Sequence, residues 1–453
     1  MVGIDGLISG LKTTEMIADL MKIEARPQNI LKSKMAANQT FVSALQQLNT
    51  KIAALAEAAG KVAKPAGTDL YSAASSSDKV TVSTTTGAAA GSLDLVVKQT
   101  ASAQVSLSGA LSSWPSEATE ITINAAGTST TLNVDGKSLD EVVSEINKSN
   151  KGVSAVKIAA GVDAAGTAQY RIQLTSSATG ADAAFTLSTN GTDPFSEAGG
   201  GLALKAARNA EVTLWAGVPG AETTISSATN TFTGLMPGVD VTVSQASETP
   251  LTLTVVRDDK AITDVAAKLV AGLVDLFSFV NRNASVTTST TSGSSAATGG
   301  LFTGDSGIRD LKQSIMTAAT GPVDGRSPSE IGIVITKDGT VEFDAEKFAA
   351  ALAADPAKTQ AALQTIAGRV EAAGKIASDK YDGTITQRIT GQESEVRSLT
   401  TQIEDWDRRL ASRQATLQSV WTNLEVKLGK LQSQQEWLTS QIDSLNYSSS
   451  SNK

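Results

Sequence analysis

The chain has 453 residues, with 38 Lys and Arg against 46 Asp and Glu, a net charge of −8, and neither cysteine nor histidine. These counts exclude disulfides, thiolate metal sites and cysteine nucleophiles, and remove the commonest general base and metal ligand. A mildly acidic, mixed charge argues against a nucleic-acid backbone or an anionic membrane as partner.

Apolar residues make up 41% but aromatics only 4%. The cores must therefore be built from Ala, Val, Leu and Ile, and the length implies about three domains. The most apolar stretch, 269–280, is about 12 residues and carries Asp275, too short for a bilayer. The start, MVGIDGLISGLKTTEM, lacks a basic region followed by a continuous apolar one, so no cleaved signal peptide is expected.

In chain order, residues 12–64 read as helix, with an N-cap signal at Thr13-Thr14-Glu15 and a break before Pro27. Phe41, Leu45, Leu48, Ile52, Leu55, Ala59 and Val62 then recur at spacings of four and three, a narrow seam suited to a partner helix. From Tyr71 the chain turns to Ser, Thr, Gly and Ala with short alternating runs, the pattern of antiparallel strands. Clear strands are expected at 153–158, 170–174, 212–215, 239–243 and 251–256. One helix interrupts them, opened by the capping box of Ser138 and Glu141. Another helix is expected at 262–281.

The polar run 287–300 reads as a linker or disordered loop. Asp305 can cap a helix through Met316, a hairpin is expected over 331–343, and Asp344 and Asp355-Pro356 cap two more helices. The last segment carries Ile389, Val396, Ile403, Leu410, Leu417, Leu424, Leu431, Leu438 and Leu445 at intervals of seven. At this composition such a row arises by chance at about 2 × 10⁻³ across the seven registers. Companion positions are apolar only in part: Leu399, Trp406 and Val420 against Arg413, Lys427, Gln434 and Gln441. Trp421 and Leu428 widen the apolar face.

Two long helices at opposite chain ends, with strands between, predict one stalk in which the ends pair; separate homodimeric coiled coils are the alternative. Chemical motifs do not survive inspection. Gly136-Lys137-Ser138 lacks the earlier glycine of a phosphate loop, with Thr131 in its place. The Asp338-Gly339 turn offers Val334 and Thr336 where a calcium loop needs ligands. Asp258-Asp259 and Glu404-Asp405 sit among Lys and Arg and read as solvated surface. No catalytic, cofactor or metal residue is expected, and hence no enzyme.

Several segments together resemble the flagellar filament capping protein family, also called flagellar hook-associated protein 2. They are Ser9-Gly10-Leu11 with Met16-Ile17-Ala18-Asp19-Leu20-Met21; 91–106, GSLDLVVKQTASAQVS; and 138–158, SLDEVVSEINKSNKGVSAVKI, centred on Ile146-Asn147. The most specific are 301–311, LFTGDSGIRDL, and 331–352, IGIVITKDGTVEFDAEKFAAAL. The chain departs from the family pattern at Val280, where Tyr is usual, and at Lys98-Gln99-Thr100-Ala101, where a Leu-Ala pair is usual.

The resemblance implies an extracellular protein at the flagellum tip, exported by the flagellar type III route without a cleaved signal. It implies a ring-shaped homo-oligomer that retains flagellin and promotes its polymerisation. The implied partners are flagellin, hook–filament junction proteins and an export chaperone, with no cofactor, nucleic acid or membrane. A surface adhesin or glycan-binding protein using the β-domains is the alternative.

The expected fold is α+β, a coiled-coil stalk formed by both ends with antiparallel β-rich domains inserted at its tip. The expected parts are an assembly segment 1–40, disordered in the monomer; a helical stalk domain, 41–70 and 285–437, with a small hairpin; an inner β-domain, 77–106 and 206–260; an outer β-domain with one helix, 107–205; and an assembly segment 438–453. Coiled-coil packing is assigned to Phe41, Leu45, Leu48, Ile52, Leu55, Val62, Ile389, Val396, Leu399, Ile403, Trp406, Leu410, Leu417, Leu424, Leu431 and Leu438. Filament attachment is assigned to Ile4, Leu7, Ile8, Leu11, Ile442 and Leu445.

Overall fold

The structure, a computed structural model, describes residues 10–291, 294–337 and 339–450. The chain divides into two units, Met1–Ala63 with Ala266–Lys453, and Lys64–Val265.

The helical unit begins with α1 (Thr13–Glu24) and α2 (Arg26–Val62). Pro27 sits in the first turn of α2, where its missing N–H costs nothing, and the chain turns at Ala25 just before it. Lys12 occupies the N-cap of α1 without a side-chain cap. The cap expected at Thr13 is therefore not made; Thr13 is already the first helical residue.

The second unit opens with β1 (Tyr71–Ser75), β2 (Val80–Thr84), β3 (Gly91–Gln99) and β4 (Val105–Leu107). Then come β5 (Glu120–Ala125), β6 (Thr128–Asn133), α3 (Leu139–Ser149), β7 (Val153–Val162) and β8 (Ala168–Ser176). It continues with β9 (Phe185–Thr189), β10 (Leu202–Lys205), β11 (Ala210–Leu214) and β12 (Thr223–Ser227). Its last strands are β13 (Thr231–Met236), β14 (Val239–Val243) and β15 (Leu251–Arg257).

These strands build two cores. A five-stranded sheet, β1-β15-β3-β11-β12, and a three-stranded one, β13-β14-β2, share a core that includes Leu95, Val212, Phe232, Val241 and Leu253. A four-stranded sheet, β10-β4-β8-β7, a three-stranded one, β6-β5-β9, and α3 share a second core around Ile121, Ile123, Ile146, Ile172 and Leu174. All pairings are antiparallel. The second core is an insertion into the first, entered after β3 and left before β11.

Local chemistry explains the segment 138–158. Ser138 and Glu141 complete the capping box of α3, satisfying backbone donors that would otherwise lack partners. Ile146 is fully buried in the core. Asn147, one residue on, receives the Ala155 N–H at 2.8 Å and donates to the Ala155 carbonyl at 2.9 Å. The pair thus clamps α3 to β7.

The chain returns to helix with α4 (Asp259–Ala284), whose residues from Ala266 belong to the helical unit. Strands β16 (Val286–Thr291) and β17 (Ser294–Gly299) follow as an antiparallel hairpin. Within the run 287–300, residues 287–291 and 294–299 are thus paired strand where a linker or disordered loop was expected. Their backbone groups satisfy one another across the ladder without an apolar face, so alternation did not announce them.

After it come α5 (Ser306–Thr320), β18 (Ile333–Ile335), β19 (Val341–Phe343), α6 (Ala345–Ala354), α7 (Pro356–Ser378) and α8 (Thr384–Ser450). Asp305, Asp344 and Asp355 cap α5, α6 and α7 through side-chain oxygens. The 67 residues of α8 make a rod of about 100 Å at 1.5 Å per residue.

In this unit α2 packs against both α7 and α8, and α5 against α7. The α2–α7 approach is close: a Cβ added at Gly374 would stand 2.8 Å from the Ala56 Cβ. We expect Gly374→Val to cost about 1–3 kcal/mol through overpacking, read as a lowered urea midpoint of the helical unit with the slope unchanged.

Candidate functional site: the paired chain ends

The chain ends run antiparallel, in a register fixed by polar contacts that cross from one end to the other. Gln28 donates to Asp407, Thr400 to the Met35 sulfur at 3.6 Å, and Asn49 to Thr386 at 3.4 Å. In each of these contacts the two residue numbers add to 435. Lys34 pairs with Glu395 at 2.8 Å and Arg413 with Glu24 at 2.9 Å. Such exposed ion pairs contribute little stability and serve mainly to set register.

Along the second half of α2 the partner changes. Ala56 stands against Gly374, and Gly60 against Glu371, with numbers adding to 430 and 431. The shift of four to five residues is taken up by the break between α7 and α8 at 379–383. Gly383 is essential there, because a Cβ would lie 2.5 Å from backbone atoms of Asp379.

The residues assigned to coiled-coil packing fall into three groups. Leu45, Leu48, Ile52, Leu55 and Val62 on α2 and Leu399 and Ile403 on α8 are buried. Phe41, Ile389, Val396, Trp406, Leu410 and Leu417 are half-buried, Phe41 meeting Phe302 edge-on at 6.1 Å. Leu424, Leu431 and Leu438 are exposed, at 40%, 61% and 53%.

Ile52, Leu55 and Val62 lie on the stretch of α2 where Ala56 meets Gly374 of α7 and Leu55 meets Gly272 of α4. Leu424, Leu431 and Leu438 are exposed on α8, although Glu425 beside the first of them is buried. The register brings Leu424 level with Leu11, and the other two lie past it.

Of the residues assigned to filament attachment, Leu11 and Ile442 are exposed. Ile4, Leu7, Ile8 and the Leu445 side chain lie outside the described residues. From Thr13 onward the N-terminal segment forms α1 and the start of α2. In α1 only Thr13 and Ile17 are buried. Met16, Leu20, Ile23 and, at the start of α2, Ile30 are exposed. They recur at helical intervals, a second stripe that periodicity contained and that sequence reasoning did not assign. The α7 residues Leu363, Ile366 and Val370, all buried, were missed as well.

At the base of α8, Arg388 forms a two-pronged ion pair with Asp305, one contact at 2.8 Å. Burial pushes the Asp305 carboxyl up, but Arg388 and the backbone N–H groups of Ile308 and Gly307 outweigh it and hold it below its usual 3.8. A depressed carboxylate contributes stability in full above its ordinary pKa and loses it as acid passes the lowered value. Asp305→Asn keeps the cap and removes the charge. It should cost about 1–3 kcal/mol at pH 6, between exposed and buried pairs, and much less near pH 2, by urea unfolding at each pH.

Among the described residues no three Asp or Glu are grouped to hold a metal ion. No helix among them is long and apolar enough to cross a membrane. The surface offers apolar stripes and ion pairs, suited to helix association.

Comparison with known proteins agrees with this organisation. The flagellar hook-associated protein 2 C-terminus family matches residues 207–433, and the N-terminus family of the same protein matches residues 9–104. The flagellar hook-associated protein 2 of Escherichia coli O157:H7 is 26% identical over 475 aligned residues, covering 97% of each chain. The B-type protein of Pseudomonas aeruginosa is 30% identical over 205 residues, 44% of this chain and 43% of its own length. The D1-D2-D3 domains of the Escherichia coli flagellar cap protein superpose with a TM-score of 0.61 at 21% identity, over 77% of this chain and 99% of theirs. With helices at both ends, antiparallel sheets between them and family matches to both halves, the chain belongs to the flagellar hook-associated protein 2 family.

Proposed function

We propose that this protein caps the distal end of the flagellar filament, retaining exported flagellin and promoting its polymerisation. In this reading it works as a ring of identical subunits, reaches the tip through the flagellar type III channel, and meets flagellin, hook–filament junction proteins and an export chaperone. The observation that carries the reading is the apolar surface left on the paired ends. Leu11, Met16, Leu20, Ile23 and Ile30 stand exposed on one strand of the pair, and Leu424, Leu431, Leu438 and Ile442 on the other. Patches of this kind mark association surfaces, and long helices offering them fit an assembly of other helices. Capping makes and breaks no covalent bond, in keeping with a chain that lacks histidine and cysteine.

Deletion of the gene tests this. Flagellin should be shed into the medium while filaments fail to grow, and the full-length chain supplied in trans should restore them. Full-length filaments in the deletion strain would contradict the proposal.

A further inference from the structure

The segment 301–311, LFTGDSGIRDL, is conspicuous in the sequence, and the structure gives each of its main residues a task. Phe302 packs edge-on against Phe41 of α2 and Phe279 of α4, both at 6.1 Å. Gly304 takes φ +77°, a conformation glycine adopts freely. Asp305 caps α5 through the Ile308 N–H at 3.1 Å and holds Arg388 of α8 in its two-pronged pair. Gly307 leaves room for that pair, since a Cβ there would stand 3.1 Å from Arg388 Nη1. The Arg388 guanidinium also lies over the Phe41 ring, 5.4 Å from its centre. Three helices therefore meet at one arginine in the second turn of α8.

That position is mechanically sensitive. The break at 379–383 separates α8 from α7, so the covalent link does not by itself fix where α8 points. A turn of about 5° at the base displaces the far end of a rod of about 100 Å by about 9 Å. Beyond the base, α8 meets α2 through the buried Leu399 and Ile403, and the polar pairs that α8 makes with α1 and α2 are exposed and yield readily. The Asp305–Arg388 pair is different. The Asp305 side chain is 11% exposed, and planar two-pronged contacts fix geometry as well as distance.

We propose that the Asp305–Arg388 pair is a latch that sets the direction in which α8 leaves the α7–α8 break. Arg388 is a positioning residue, and the segment 301–311 is the fixed half of the latch. The inference is independent of the capping role.

Because the chain has no cysteine, introduced cysteines can be spin-labelled uniquely. One pair of labels at exposed Ser314 on α5 and Thr401 on α8 reports the direction of α8. A control pair at exposed Ala58 on α2 and Ala372 on α7 reports the rest of the unit. The wild type should give one narrow distance for each pair. Arg388→Met, which keeps the side chain's bulk, and Asp305→Asn, which keeps the cap, should each at least double the width of the Ser314–Thr401 distribution. Arg388→Lys should give a width between wild type and Arg388→Met. The Ala58–Ala372 distance should not change. An unchanged Ser314–Thr401 distribution in both variants would overturn the latch. Broadening of both label pairs alike would also overturn it, because the ion pair would then hold the whole unit together instead of steering α8.

Discussion

A chain lacking residues 1–25 is expected to keep its β unit and lose its capping function completely. Both β cores draw all their residues from the second unit, so strand content by circular dichroism should be unchanged. The deletion removes α1 and with it Leu11, Met16, Leu20 and Ile23, most of the exposed stripe on that side. It also strips α8 of its Glu24 contact with Arg413. Flagellin should then be shed as monomer. Leu11→Asp should act in the same direction, because a charge placed in a dry helix interface costs several kcal/mol. Normal export of the truncated chain together with full-length filaments would show that attachment resides elsewhere. Export is to be followed separately, since the same segment can serve as the secretion signal.

The largest single-residue loss of stability is expected at Phe277→Ala. Phe277 on α4 is fully buried, with the Lys312 ammonium 6.0 Å from its ring centre. Truncating a buried phenylalanine typically costs about 3–5 kcal/mol, the transfer loss plus the cavity left behind. In calorimetry the transition of the helical unit should fall in temperature while that of the β unit holds. An equal fall in both would show that the two units unfold as one.

Local chemistry was the most legible part of this sequence. Asp305, Asp344 and Asp355 could be named as caps because a short acceptor ahead of an apolar period has one main use there. Strands such as β14 and β15 followed from alternation. Partner choice was less legible. The α2 seam states that a helix lies against it, but the same threes and fours suit α7 and α8 equally, and only packing brings Ala56 to Gly374 of α7 and Leu55 to Gly272 of α4. The break at 379–383 carries no proline; it rests on Gly383 passing close to Asp379. The Asp305–Arg388 pair joins residues 83 positions apart, a relation that no periodicity encodes. The heptad row through Leu438 did predict a continuous helix, yet a row of leucines does not say whether its partner belongs to the same chain.

That question is the central one, and a short cross-link answers it. Thr400 meets Met35 in the structure, and packed helix axes lie about 8–10 Å apart. Cysteines replacing Met35 and Thr400 in this cysteine-free chain should be joined within one molecule by a bis-maleimide of about that span. The product should be a faster-migrating monomer at high dilution, whereas cysteines replacing Met35 and Ser412 should not react with each other. Cross-linked dimers in place of the intramolecular product, or equal reaction at Ser412, would show that the two ends do not pair within one chain in this register.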